Sequence, residues 1–346
     1  MLDLNLHLAG LLDDLAAVQT SEYPRRAYER AARKLLLLPE PARPGLALPD
    51  IGKTATRVVQ EVLATGHSPT VTTTVDQHPR RAYAEGRRAR REGFMSLAIA
   101  RMVLADTDAS GIGLEDYRAD FQMHSAWSDG SRSIAELAIG CAERGYTHFA
   151  VTDHAEGLSV ARGLGAASLR AQQREIDEVN AAAGDRLVVL KGLEANILAD
   201  GRVDIPAPCD LVIAAPHSRL DVEDDQTSRL VRAVSTPGVK ILAHPSGRKF
   251  GKRPGVQADW ATVFTAAKAH NVAIEIDGDP SRQDLTYALA RQAYDAGCLI
   301  AIDSDAHDVD ELCFAEIGLA HARLAGIPAS RVLNTWSLKR LRAWLA

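Results

Sequence analysis

Short β-prone runs in this chain end, one after another, on side chains that bind cations or move protons. DFQMHSAWSDG supplies Gln122, His124 and Asp129; AVTDH supplies Asp153 and His154; KGLE supplies Glu194. AAPH gives His217, ILAHP gives His244, EID gives Glu275 and Asp277, and AIDSDAH gives Asp303, Asp305 and His307. Five of the 11 histidines stand at such ends. A lone histidine at a strand end is usually a hydrogen-bonded structural residue. Five of them among carboxylates need another account, because packing so many polar groups together costs several kcal/mol in desolvation. Bound cations remove that cost. Imidazole and carboxylate ligands suit Zn, Mn or Fe, and the lack of thiolates argues against a zinc finger. The set exceeds one tetrahedral site and fits two or three divalent ions with a bridging carboxylate. Clustered ions of this kind hydrolyse phosphoesters, one ion activating water and the others holding phosphoryl and leaving oxygens. No G-x-S-x-G elbow or reactive-cysteine signature competes with this chemistry.

The elements that must position these groups follow from periodicity. Seven β-prone runs lie near 117–123, 147–152, 187–193, 210–216, 239–243, 272–277 and 298–303. Helical stretches at 132–143, 166–183, 259–269 and 284–296 separate several of them, with Asp259 and Pro280-Ser281 as helix starts. Strand–helix alternation argues for parallel strands joined by crossover helices, an α/β fold. Seven units over about 230 residues suit a distorted barrel, whose strand C-terminal ends share one face. Side chains 122 and 124 then point the same way, since strand side chains alternate with period 2.

Ahead of this lies an all-helical stretch, so the expected domains are 1–112 and 113–346. Leucines at helical spacing mark 2–18, a basic amphipathic helix fills 22–38, and PEPARPGLALPD connects to a helix at 54–65 that ends at Gly66. Residues 79–105 read as one long helix carrying Arg80, Arg81, Arg87, Arg88, Arg90 and Arg91, a solvated face or a set of phosphate contacts, and 105–113 as a linker. Residues 1–112 hold 15 Lys/Arg against 13 Asp/Glu, whereas the remainder holds 25 against 32. An uneven balance of this kind fits two modules with different partners. The four cysteines, in apolar surroundings and without a C-x-x-C pair, read as reduced residues of a cytoplasmic protein. No apolar run predicts a membrane span, and MLDLNLHLAG lacks the features of a signal peptide.

The motif order QMH, SDG, TDH, GLE, PHS, AHP, SDAH resembles the polymerase and histidinol phosphatase (PHP) family, most closely the C-terminal PHP domain of bacterial X-family DNA polymerases. LADGRVDIP, HPSGRKFGKRPG, QADW, PSRQDL and RVLNTWSLKRLRAWL extend the likeness over about 115–346. It implies a distorted seven-stranded barrel and a three-metal centre. One ion would be held by His124, Glu194 and Asp305 near Gln122, a second by Glu194, His217 and His244, and a third by Asp129, His154 and His307, with Glu194 bridging. Asp153 joins the catalytic candidates, and Arg248 and Arg253 match basic positions that bind phosphate. Where much of the family has H-x-H this chain has Gln122-Met123-His124, which implies a weaker or more exchangeable first metal and favours the polymerase-associated branch. ALPDIGKTATRVVQEVLATG is similar to a helix-hairpin-helix, with Ile51, Gly52 and Lys53 at the turn that grips a DNA phosphate and Asp50 where glycine is usual; RRAYERAARKL resembles the helix before it. The nucleotidyl-transfer palm of a polymerase has no counterpart, and Asp106 and Asp108 are not read as catalytic.

The expected activity is therefore metal-dependent hydrolysis of phosphodiesters at nucleic-acid ends, in the manner of a 3′-5′ exonuclease with DNA as partner. The alternatives are a small-molecule phosphatase of the histidinol-phosphatase type, with the helices as scaffold, and a non-enzymatic DNA-binding module. Oligomeric state stays open.

Overall fold

A computed structural model of the chain describes residues 2–46, 48–106, 111–157 and 161–346. The front is helical: α1 (Leu4–Val18), α2 (Glu22–Leu36), α3 (Lys53–Thr65), α4 (Pro69–Asp76), α5 (Arg81–Arg88) and α6 (Leu97–Ala105). Helix α1 is the hub. Leu8, Leu12 and Leu15 are buried among Leu35, Val58, Val62 and Val75 of its neighbours. Asp3 caps it by accepting from Leu6 N–H, and Gly66 closes α3 in the left-handed conformation.

The expected single helix over 79–105 is two helices. A 3₁₀ turn follows α5, Gly93 takes a φ of +71°, and Ser96 then caps α6. The break lets Phe94 meet Phe250 edge-on at 5.2 Å. Its arginines divide: Arg81 and Arg88 stay exposed, whereas Arg87 and Arg91 turn inward into ion pairs. Arg87, 4% exposed, pairs with Asp13, Arg91 reaches both Asp13 and Asp14, and Arg88 pairs with Asp14 at 2.8 Å. The buried carboxylates of α1 therefore clamp α5 in place. Helix α4 was not legible in the Thr-rich run PTVTTTVD, and Asp108 lies outside the described residues with part of the expected linker.

The rest of the chain lays out β1 (Ala119–Asp120), α7 (Ile134–Glu143), β2 (His148–Val151), α8 (Ala166–Ala183), β3 (Val188–Asn196), β4 (Leu211–Ala215) and α9 (Thr227–Val234). Then come β5 (Val239–Leu242), α10 (Trp260–Ala269), β6 (Ala273–Asp277), α11 (Tyr287–Asp295), β7 (Ile300–Asp303), α12 (Ala315–Leu324) and α13 (Leu338–Leu345). All strands run parallel in sequence order, β1 to β7. Alternate residues feed two cores. Ala150, Leu190, Ile213, Ile241, Ala273 and Ala301 fill one, while Phe149, Val189, Val212, Leu242, Ile274 and Ile302 pack in the other with helix residues such as Leu169 and Phe264. The first core also takes Trp336 and Leu341 from the C-terminal segment, which plugs one end of the curl.

The sheet is curled, and among the described residues no ladder joins β7 to β1. One bridge, Met123 to Ala306, spans the seam near the strands' C-terminal ends. Lower down, the segment around Asn334 fills the gap. Its amide donates to Ala119 O, Ile302 O and Asp303 and accepts from Ile302 N–H, at 2.7–3.0 Å. The expected strand 117–123 is laddered over only two residues because carboxylates take its next amides. Asp303 accepts from Phe121 N–H (2.7 Å) and Asp120 from Gln122 N–H (3.2 Å). The helix expected from Pro280-Ser281 begins instead after Thr286, which caps α11.

Candidate metal centre

Strand parity aims the acids. Glu194, Glu275 and Asp303 continue the inward positions of Leu190, Ala273 and Ala301. After β5 and β7 the backbone turns sharply, with positive φ at His244 (27°) and Asp305 (51°), an uncommon conformation for non-glycine residues that is concentrated at functional sites. Asp129 reaches the same place because Gly130 packs on the backbone of His124 and Ser125; a Cβ there would lie 2.1 Å from His124 O.

Glu194, fully buried at the end of β3, is the hub of the rim. Its Oε1 lies 2.8 Å from His244 Nε2 and 3.0 Å from His217 Nε2, while its Oε2 lies 2.9 Å from His154 Nδ1 and 3.3 Å from His124 Nε2. His124 Nε2 is also 3.1 Å from Asp305 Oδ1. On the other side Asp129 Oδ2 meets His154 Nε2 at 3.4 Å and His307 Nε2 at 3.5 Å. Each trio named from the sequence is thus brought together. The tightest groupings cut across those trios: His124, Asp129, His154 and His307 form one, and His154, Glu194 and His217 another.

These residues fit divalent cations on three grounds. His124 Nδ1, His154 Nδ1, His244 Nδ1 and Glu194 Oε2 are buried without any hydrogen-bond partner, a state that is costly unless something else is bound. Two imidazoles are held in the ligating tautomer, since His217 Nδ1 donates to Asn196 Oδ1 (2.8 Å) and His307 Nδ1 to Asp305 O (2.8 Å), leaving each Nε2 a lone pair facing a carboxylate. Finally, His124 stacks between His154 and His307 with both ring centroids at 4.4 Å, an arrangement that like-charged imidazolium rings would resist.

Without cations, protons are drawn in. Burial opposes charge on His154, yet Glu194 and Asp129 push its pKa up to about 11. His307, likewise opposed by burial, is raised to about 9 by Asp129 and Asp305. Asp129, Asp305 and Glu194 resist their own burial and are held below the carboxylate range by the imidazoles and, for Asp305, first by Arg282. His244 goes the other way, to about 4, because burial and Arg282 outweigh Glu194.

Gln122 sits under this rim. Turned so that its amide nitrogen donates to Glu275 Oε2 (3.0 Å), it places its oxygen opposite Asp305 Oδ1 at 3.4 Å, beside His124. Glu275 and Asp277 accept backbone amides, of His244 (2.5 Å) and Asp279 (2.6 Å), and so hold loops.

Three expectations are redirected. Asp153 accepts from Ser125 N–H (2.8 Å), Ser125 Oγ, Ser128 Oγ and Gln172 Nε2 (2.7 Å), so it braces the loop carrying His124 and Asp129. Arg248 is buried, with its guanidinium 4.0 Å from the Phe94 ring and donating to Glu92 O (2.6 Å), which ties the loop after β5 to the front helices. Arg253 donates to Gly247 O (3.1 Å). The cation beside the rim is Arg282, within PSRQDL: its Nε lies 3.4 Å from Asp305 Oδ2 and 3.7 Å from Asp277 Oδ2. Only the motif itself signalled it. In the front, Ile51 is buried, and Gly52 (φ 82°) and Lys53 are exposed at the start of α3. Asp50 takes a φ of 61°, the conformation glycine would supply.

No family model matches the chain. Over 239 residues, 68% of this chain, it is 38% identical to the DNA polymerase/3′-5′ exonuclease PolX of Bacillus subtilis, spanning 42% of that protein. The aligned length suffices to hold the whole motif order. The motif order and this similarity together support assigning the chain to the PHP family. Other relatives match along nearly their whole length: a probable phosphatase of Enterobacter is 27% identical over 242 residues, 63% of this chain and 93% of that one. Among solved structures, the histidinol phosphate phosphatase of Lactococcus lactis, complexed with Zn, L-histidinol and phosphate, covers 61% of this chain and 94% of its own at 15% identity and a TM-score of 0.45, too distant to carry an argument. The chain spans less than half of the PolX relative, so that protein's activities are not transferred with the family. No helix among the described residues is long and apolar enough to cross a membrane.

Proposed function

We propose that this protein is a metal-dependent phosphodiesterase that removes nucleotides from nucleic-acid 3′ ends. The observation that supports it most is the convergence of four imidazoles on the two oxygens of Glu194, at 2.8–3.3 Å. In this reading His124, Glu194 and Asp305 hold one ion, Glu194, His217 and His244 a second, and Asp129, His154 and His307 a third. Mn, Zn and Fe all suit these donors. Such ions supply a reactive water at neutral pH and neutralise phosphoryl oxygens. Arg282 adds a fixed positive charge for a phosphoryl oxygen, while Asn196, Asp153 and Asp305 O keep the imidazoles and the His124 loop in register.

Residues 1–112 act as a nucleic-acid-gripping module, with Ile51, Gly52 and Lys53 at a helix-hairpin-helix turn, and 113–346 as the hydrolytic domain of a cytoplasmic enzyme. The 38% identity to PolX, whose name includes a 3′-5′ exonuclease, favours this over a small-molecule phosphatase. The near-complete coverage of probable phosphatases keeps the second reading in play.

With Mn²⁺, the protein should shorten a 5′-labelled duplex with a recessed 3′ end, and His154→Ala should abolish the shortening. Cleavage of phosphomonoesters alone, with labelled DNA intact, would replace this reading by the phosphatase one.

A further inference from the structure

One face of α2 carries Tyr23, Arg26, Arg30 and Arg33, spaced three, four and three residues apart, along about 15 Å of helix. Arg26, Arg30 and Arg33 of this stripe line a cleft of about 290 Å³ whose opposite wall is the loop after β5, with Lys249, Phe250 and Lys252, and Tyr23 lies about one turn before Arg26 on the helix. The acids in the cleft are already paired, Asp13 with Arg87 and Arg91 and Glu29 with Lys252 across the cleft at 3.0 Å, while Arg26 pairs with Glu22 at 2.6 Å on the exposed side of α2. Arg30 and Lys249 have no carboxylate partner among the described residues. Lys249 is half-buried, and Arg282, Arg253 and Lys252 oppose its charge while Asp279 favours it. The unpaired charges of Arg30 and Lys249, set in this concavity beside exchangeable surface pairs, suit a polyanion. At the outer end of the stripe Tyr23 is 80% exposed, a free aromatic face beside cations.

The inner end reaches the rim. Arg33 binds Asp279 (3.2 Å) and Glu311 (2.7 Å), and Glu311 in turn accepts from His307 N–H (3.0 Å). Ser281 lines the cleft one residue before Arg282, which touches Asp305.

We propose that this cleft is the track of a single-stranded phosphodiester chain: Arg26, Arg30, Lys249 and Lys252 follow its phosphates, Tyr23 stacks on a base, and the 3′ end emerges at Arg282 and the metal rim. The proposal rests on the phosphodiesterase reading and adds the route by which the strand arrives. Stacking on an exposed aromatic together with cationic tracking of the backbone is how single strands are held without sequence preference.

The probe is a 5′-fluorescein oligo-dT 12-mer, with binding followed by anisotropy across a salt series in EDTA, and its trimming followed with Mn²⁺. R30A/K249M should weaken binding about tenfold or more and flatten the dependence of log K on log salt by about 1.4, two single-strand contacts. It should also raise KM for trimming more than it lowers kcat. Y23A should weaken binding about fivefold without changing the salt slope, since stacking carries no charge. Wild-type affinity and an unchanged slope in R30A/K249M, with the oligonucleotide still trimmed, would overturn the track alone. A wild-type protein that neither binds nor trims the 12-mer yet hydrolyses a phosphomonoester would overturn the track and the underlying reading together.

Discussion

His154 Nδ1 and Glu194 Oε2 lie 2.9 Å apart, yet both are buried without a hydrogen-bond partner. Close approach without hydrogen-bond alignment is what two ligand atoms show when both address a third point. Replacing Glu194 with Gln removes the charge and one acceptor from the hub touched by four histidines. Glu194→Gln should lose bound metal and at least about 100-fold of phosphoesterase turnover, exceeding the 10–100-fold typical of losing an outer-sphere partner. Metal analysis and initial rates on the same preparation check this, and full metal content with normal turnover would contradict it.

Metal affinity should climb with pH. In the metal-free protein the folded pKa values of His154 and His307 are raised, to about 11 and about 9. Their contribution to metal-free stability is therefore complete below the ordinary imidazole pKa and is lost as pH rises through 9 and then 11. An incoming ion must displace those protons, so apparent affinity should rise up to about 100-fold per pH unit below 9 and about tenfold per unit between 9 and 11. Calorimetry in buffers of different ionisation enthalpy should register close to two protons released at pH 7.5. Release of none would contradict the electrostatics.

Asp13 carries the front module's buried charge. Burial raises its pKa while Arg91 and Arg87 oppose the shift. Asp13→Ala leaves two guanidinium groups facing each other, one of them fully buried, and should cost about 3–5 kcal/mol. Urea denaturation would read it as a lower midpoint. A loss below about 1 kcal/mol would mean that the arginines find water.

Asn334→Leu tests the seam. The substitution removes the Asn334 contacts of Ala119 O, Ile302 N–H and O, and Asp303, although Ile302 O still accepts from the Tyr117 hydroxyl and Asp303 from Phe121 N–H. At about 1–3 kcal/mol for each buried group left unmade, with Ile302 N–H and Ala119 O the groups most affected, the variant should be destabilised by at least about 2 kcal/mol. Amide exchange should quicken first at Ile302, where the lost contacts lie, and unchanged protection there would contradict the closure.

Gly130→Ala should lower metal content with little loss of fold, because the added methyl must displace the His124 backbone from which Asp129 hangs. Circular dichroism and metal analysis separate the two effects.

Much of this was legible in the sequence. Runs such as VVLKGLEAN and LVIAA announce buried parallel strands by continuous apolarity, and the polar residue at each end announces the rim. What stayed hidden depended on partners far along the chain. Nothing in RAYAEGRR says that Arg87 will be buried, since its partner Asp13 lies on another helix. Asp153 and His154 are adjacent and alike in chemistry, but strand alternation turns one toward Ser125, Ser128 and Gln172 and the other toward the rim. Asn334 is a lone amide between Leu333 and Thr335, and its role exists only once Ala119 and Asp303 have been brought side by side.

The seam also sets an order of events in the cell. Asn334 joins the first strand to the last, so a chain still leaving the ribosome has all seven strands and every candidate ligand exposed before the piece that locks their curvature arrives. Ion capture is then a late event, and nascent chains stalled short of residue 334 would hold their metal loosely and exchange it readily.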